Sequence, residues 1–235
     1  MEGNSGLQCE LSSGVYYCPR KNLEWDHVLI KNLLMEIIPK SIIMIKELFS
    51  IRTKKKPIIY FLHKSCYSLL EKKSNLPKWL KAFNYKNLIF LLIDKKENNW
   101  EQILLHEISH WGISLLSKGK KIIPNWFNEA VACIISENIY YNEKGMYDII
   151  NSVNKYQITD DIINDNLIDE YKNDYMIIIH SIARFFLNKF KMAKLIELIK
   201  IIFKQKKDFN QVFVEVLEIE TKEFISNWYY YQLNG

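Results

Sequence analysis

Glycine and proline are scarce, at 7 and 5 of 235 residues. That argues against a turn-rich sandwich, a collagen or a low-complexity linker protein. No apolar run approaches the roughly 18 residues that a membrane-spanning helix needs. The opening residues, Met1-Glu-Gly-Asn-Ser-Gly6, lack the basic and apolar regions of a signal peptide, so a cytoplasmic chain without a membrane span is expected. There are only four cysteines, Cys9, Cys18, Cys66 and Cys133, and none forms a Cys-x-x-Cys pair. A cysteine zinc site is therefore not expected. Cys66 and Cys133 lie in apolar stretches and read as buried thiols. Cys9 and Cys18 would pair only in oxidising surroundings. A single Cys9 in a polar arm gives no ground for a thiolate that blocks a metal.

Charge of one sign is also missing. The 32 basic and 27 acidic residues leave a net charge of +5. The basic clusters at 52–56, 118–121 and 204–207 fall between apolar segments, as solvated loops and helix ends do. No nucleic-acid partner is expected from so mild an excess.

What remains is ordinary globular composition, 49% hydrophobic and 25% charged. Residues 1–20 are polar and read as a loose arm. From 22 to 50, apolar residues recur at helical spacing, and Pro39 predicts a break or kink. The β-branched and aromatic run at 57–62 and the run Leu88–Ile93 predict strands. A short helix is expected over 64–73, and irregular or weakly helical chain over 75–87. Asn99 with Gln102 three residues on forms a capping-box pattern for a helix to about Lys118, with Gly119 as its stop. Pro124 fits the first turn of another helix, to about Asn138. Residues 140–171 read as a connecting region with uncertain helices and a possible lid. Helices follow at about 172–190, 192–204 and 208–218, with a last one from Thr221. The expected class is α+β, mostly helical.

One segment carries specific chemistry, His106-Glu107-Ile108-Ser109-His110. Two histidines one turn apart share a helix face, so both imidazoles can reach one tetrahedral Zn2+. Glu107, turned about 100° from His106, does not ligate but can take a proton from water that such a metal activates. Eighteen residues after His110 stands Glu129, within Pro124-Asn-Trp-Phe-Asn-Glu-Ala-Val-Ala132. A second helix beside the first can deliver it as a third ligand. Two imidazoles, one carboxylate and an open position form the catalytic rather than the structural pattern. A carboxylate in so apolar a helix is costly unless paired or on a metal. The plainer readings are two ordinary histidines and an outward glutamate. His27 and His63 lie outside the motif and read as surface or partly buried residues.

This His-Glu-x-x-His, followed after eighteen residues by Glu, resembles the gluzincin metallopeptidases. With the Pro-x-Trp-Phe-x-Glu-x-x-Ala string it is most similar to the peptidase MA-like family. Asp174-Tyr175 leading into 181–187, and Phe213 to Trp228, resemble that family's later segments, so the likeness covers about 22–232. Ala130 departs from it, since the family usually has Gly after the glutamate. The resemblance implies a zincin-like part at 21–139, with a small sheet on the motif helix, and a helical part at 140–235 closing the cleft. It implies zinc as cofactor, Glu107 as general base and then general acid, and an oxyanion donor from a downstream helix. Tyr175 and His180 are the candidates for that donor. They lie about 140° apart on a helix, so only one is expected to face the metal. For His180 the alternative is a satisfied histidine beside the core stripe Met176, Ile179, Ala183 and Phe186. In this class the strand before the zinc helix is the edge along which a peptide substrate docks, and Leu88–Ile93 occupies that place. No Gly-x-Met-Glu-Asn run is present, which tilts the reading towards an endopeptidase acting on a specific protein or precursor peptide. The competing reading is a catalytically retired member that binds a partner through its zinc or cleft.

Overall fold

The computed structural model describes residues 8–11, 14–17, 27–63, 81–85, 88–93, 99–120, 122–137, 139, 143–171 and 174–234. The helix expected over 64–73 lies outside them, as do Cys18 and Cys66. The protein is α+β and mostly helical, with one small sheet. It divides into two compact units, Met1–Leu115 and Leu116–Gly235. The division falls near the end of the motif helix.

The first unit holds the sheet, in the order β1-β2-β3-β5-β4. Its strands are β1 Gln8–Leu11, β2 Gly14–Tyr17, β3 Ile58–His63, β4 Ala82–Tyr85 and β5 Leu88–Ile93. β1 and β2 form an antiparallel pair, and β2 runs parallel to β3. The stretch expected as a loose arm thus contributes two strands. β5 pairs parallel with β3 from Ile58↔Leu88 to His63↔Ile93, and antiparallel with β4 from Tyr85↔Leu88 to Ala82↔Leu91. β5 is therefore interior and not an edge; among the described residues the end strands are β1 and β4, the latter in a stretch expected to be irregular. Side chains of β5 alternate, with Ile89, Leu91 and Ile93 buried and Leu88, Phe90 and Leu92 half-buried. Phe90 stacks between Tyr60 and Phe83, at 5.1 and 4.7 Å between ring centroids, so aromatic neighbours lock three strands in register.

Helix α1, His27–Asn32, passes through a π-turn, Leu33–Ile37, into α2, Ile38–Leu48. Pro39 is the cause. It has no N–H to donate and its ring crowds the carbonyl four residues back. The wider turn, closed by Ile38 N–H to the Leu33 carbonyl, accommodates it inside the first turn of α2. Helix α3, Trp100–Ser117, carries the motif. Gly112 lets it approach α2 closely, because a Cβ there would stand 2.5 Å from Ile45 Cγ2. The expected capping box is not made, since Asn99 Oδ1 is buried and accepts no hydrogen bond among the described residues. The stop is as expected, with Lys118 and Gly119 at positive φ and the Lys120 amide returning to the Ser117 carbonyl.

The second unit is helical. Helix α4, Asn125–Ile135, is followed by α5 Glu143–Ser152, α6 Lys155–Ile163 and α7 Leu167–Glu170. These last three replace the expected connecting region. They bury Met146, Ile149, Ile150, Ile158, Ile162 and Leu167. Helix α8, Tyr175–Gln205, is two helices joined across Lys191, then come α9 Phe209–Leu217 and α10 Thr221–Asn234. Their core is aromatic: Trp126, Phe127, Phe186, Phe213, Phe224 and Trp228 are almost fully buried. The Trp228 indole N–H donates to Ser181 Oγ at 3.0 Å, which satisfies the one polar atom the ring brings inside. Among the described residues, no helix is long and apolar enough to cross a membrane.

Candidate metal centre

Helix α3 sets its two histidines one turn apart, with the rings edge to face and Nε2 to Nε2 at 3.1 Å. Two imidazoles bound to one tetrahedral zinc, with Zn–N near 2.0–2.1 Å, put those atoms about 3.3 Å apart. The spacing therefore suits one shared cation. Glu107 is buried at 6% exposure. Its carbonyl accepts a hydrogen bond of 3.4 Å from Asn84 Nδ2 on β4, which ties the sheet edge to the turn that carries the motif. Ser109 is fully buried, and its hydroxyl donates back to the Leu105 carbonyl at 2.6 Å, so it belongs to the helix and not to the chemistry.

Glu129 lies on α4 among buried neighbours on both sides, Phe127, Ala130, Val131, Ala132 and Cys133. One ligand atom from each of His106, His110 and Glu129 falls within 4.8 Å of the others, and all three residues are buried or half-buried. The three ligands expected from the motif are thus brought together. A set of two imidazoles and one carboxylate is borderline in softness and fits zinc.

Two further groups feel the Glu129 charge. Cys133, one turn along α4, is fully buried, as its apolar setting predicts. Burial first, and then the Glu129 carboxylate, hold its thiol well above the ordinary range. Tyr175 opens α8 and is buried at 6% exposure. Burial, then the charge of Glu129, then those of Asp165 and Cys133, push its phenol up, so it stays protonated as a donor. His180 is also buried, next to Ser181 in the α8 core. Of the two oxyanion candidates, Tyr175 is thus a buried phenol that feels the Glu129 charge. Near α4, Ser136 donates to the Ala132 carbonyl at 2.7 Å and is a backbone partner only. Asn128 Oδ1 is buried and accepts no hydrogen bond among the described residues.

Sequence reasoning does not find Asn84 or Asp165, the latter of which accepts the first amide of α4. Nothing in the local pattern of either marks it; each is defined by a contact distant in the chain. No family model, curated protein or solved structure matches this chain.

Proposed function

We propose that this chain is a zinc-dependent peptidase of gluzincin type, with a zincin-like fold, that hydrolyses bonds within a specific protein or precursor peptide in the cytoplasm. The grouping of the His106, His110 and Glu129 ligand atoms within 4.8 Å carries this reading, with the buried Glu107 as its second support. When bound, zinc supplies Lewis-acid polarisation of a carbonyl and lowers the pKa of water to near 7. His106 and His110 would hold the metal through ring nitrogens and Glu129 through a carboxylate oxygen. Glu107 accepts a proton from the attacking water and returns it to the leaving amine. Tyr175 donates its phenolic hydrogen to the oxygen on which negative charge develops, with His180 as the alternative donor. The departure at Ala130 adds a methyl next to Glu129. Substrate docking by strand addition is assigned to β4 rather than Leu88–Ile93, because β5 is interior, while β4 is an end strand among the described residues and its Asn84 touches the motif helix.

The purified protein is expected to contain stoichiometric zinc and to cleave members of a peptide library. Glu107→Gln is expected to lower cleavage at least ~100-fold while zinc content stays unchanged. Full cleavage by Glu107→Gln, or after chelator stripping, would sink the proposal. Zinc binding without cleavage of any peptide would favour the partner-binding scaffold.

A further inference from the structure

Helix α4 has no cap of its own. Pro124 occupies its N-cap position and makes no side-chain cap bond, so the first amides must find acceptors elsewhere. The Asn125 N–H donates to Asp165 Oδ1 at 2.9 Å, 40 residues away in the chain. Asp165 stands in the turn after α6 with φ 65. Its amide returns to the Ile162 carbonyl and that of Asn166 to the Asp161 carbonyl, which closes a left-handed helix stop. Glycine takes that backbone most readily. An aspartate here keeps the left-handed turn and also sets a carboxylate against the N-terminus of α4, where the helix dipole favours negative charge. Glu129 follows Asn125 by four residues, one turn further along the same face of α4.

We infer that Asp165 is a positioning residue for the metal centre: by fixing the first turn of α4 it holds the Glu129 carboxylate in its ligating place. The inference rests on the metal-centre reading above. It gives the turn after α6 a role in supporting the ligand set.

Zinc affinity of the full chain, measured by chelator competition beside thermal unfolding, tests this without reference to cleavage. Asp165→Gly relieves the left-handed backbone and deletes the acceptor. Its unfolding temperature is expected to hold or rise, while zinc affinity falls about tenfold. Asp165→Asn keeps an Oδ1 acceptor and tolerates the same backbone. It is expected to bind zinc within about threefold of the parent chain. Glu129→Ala serves as reference and is expected to lose zinc by more than either. Unchanged affinity in Asp165→Gly, with loss in Glu129→Ala, would overturn the inference and leave the metal centre standing. Unchanged affinity in Glu129→Ala would remove the metal centre itself, and the inference with it. If Asp165→Gly does not fold, adding Pro124→Asp provides a local cap and is expected to restore both folding and affinity. A folded double variant that still binds weakly would likewise overturn the assignment.

Discussion

Gly112 lies two residues beyond a proposed zinc ligand, yet packing alone explains it. A Cβ built there meets Ile45 Cγ2 at 2.5 Å and the Phe49 ring at 3.1 Å, and both side chains are buried. Gly112→Ala is expected to destabilise the protein by about 1–3 kcal/mol, read from the denaturant midpoint. The better helix propensity of alanine, worth at most about 1 kcal/mol, does not offset the clash. Titrating residues set a second expectation. Tyr171 is pushed up to about 12 by burial and then by Asp161, whose Oδ2 accepts its hydroxyl at 3.4 Å. A phenol raised in the folded state contributes stability below the unfolded pKa near 10. That contribution is lost as pH rises towards 12. Stability should therefore fall between pH 10 and 12, and Tyr171→Phe should flatten that fall in denaturant titrations at stepped pH. At this scale the grouping of His106, His110 and Glu129 was legible because its spacing is local to two helices. Asn84 and Asp165 were not, because their bonds span 23 and 40 residues.

Elements were legible where their periodicity is strong. β3, β5 and the helices from Tyr175 onward stand close to where the apolar pattern puts them. The misses have physical reasons. β4 is four residues, Ala-Phe-Asn-Tyr, too short for alternation to register, and it exists because β5 supplies its partner. The hairpin of β1 and β2 has the same dependence on β3. Helices α5 and α6 are polar on average, and their buried isoleucines and Met146 face the core. The break within α8 was anticipated, although its conformation was not. Lys191 adopts φ 62 and ψ 165, a region that glycine occupies at little cost and other residues rarely enter. Lys191→Gly is expected to stabilise the protein by about 1 kcal/mol, a rise of about 2–4 °C in unfolding temperature for a chain of this size.

For the whole molecule, the proposed ligand set on α3 and α4 would make stability depend on metal. Zinc at one hundred times its Kd should add about 2.7 kcal/mol. Chelation should remove that increment and lower the unfolding temperature by about 5–10 °C. His106→Ala should abolish the difference between metal-loaded and chelated samples. The two compact units were not legible as such. Composition does not change at Leu115 and Leu116, and the division lies inside a continuous helix with no linker residues to announce it. The sheet was foreseen as small, but its edge was assigned to the wrong strand. The run of six apolar residues, Leu-Ile-Phe-Leu-Leu-Ile, reflects two faces that are both at least half-buried, while the neighbours β3 and β4 are set by pairing that the run does not encode.

Cys133 is sealed from solvent, and its thiol resists ionisation. Alkylating reagents attack the thiolate, so none should modify this sulfur until α4 comes away from its neighbours. The rate of its modification then becomes a clock for local opening of the helix that bears Glu129, readable by mass spectrometry on the peptide containing residue 133. Slower labelling when zinc is added would show, without any substrate in hand, that occupancy at Glu129 braces the turn of α4 that follows.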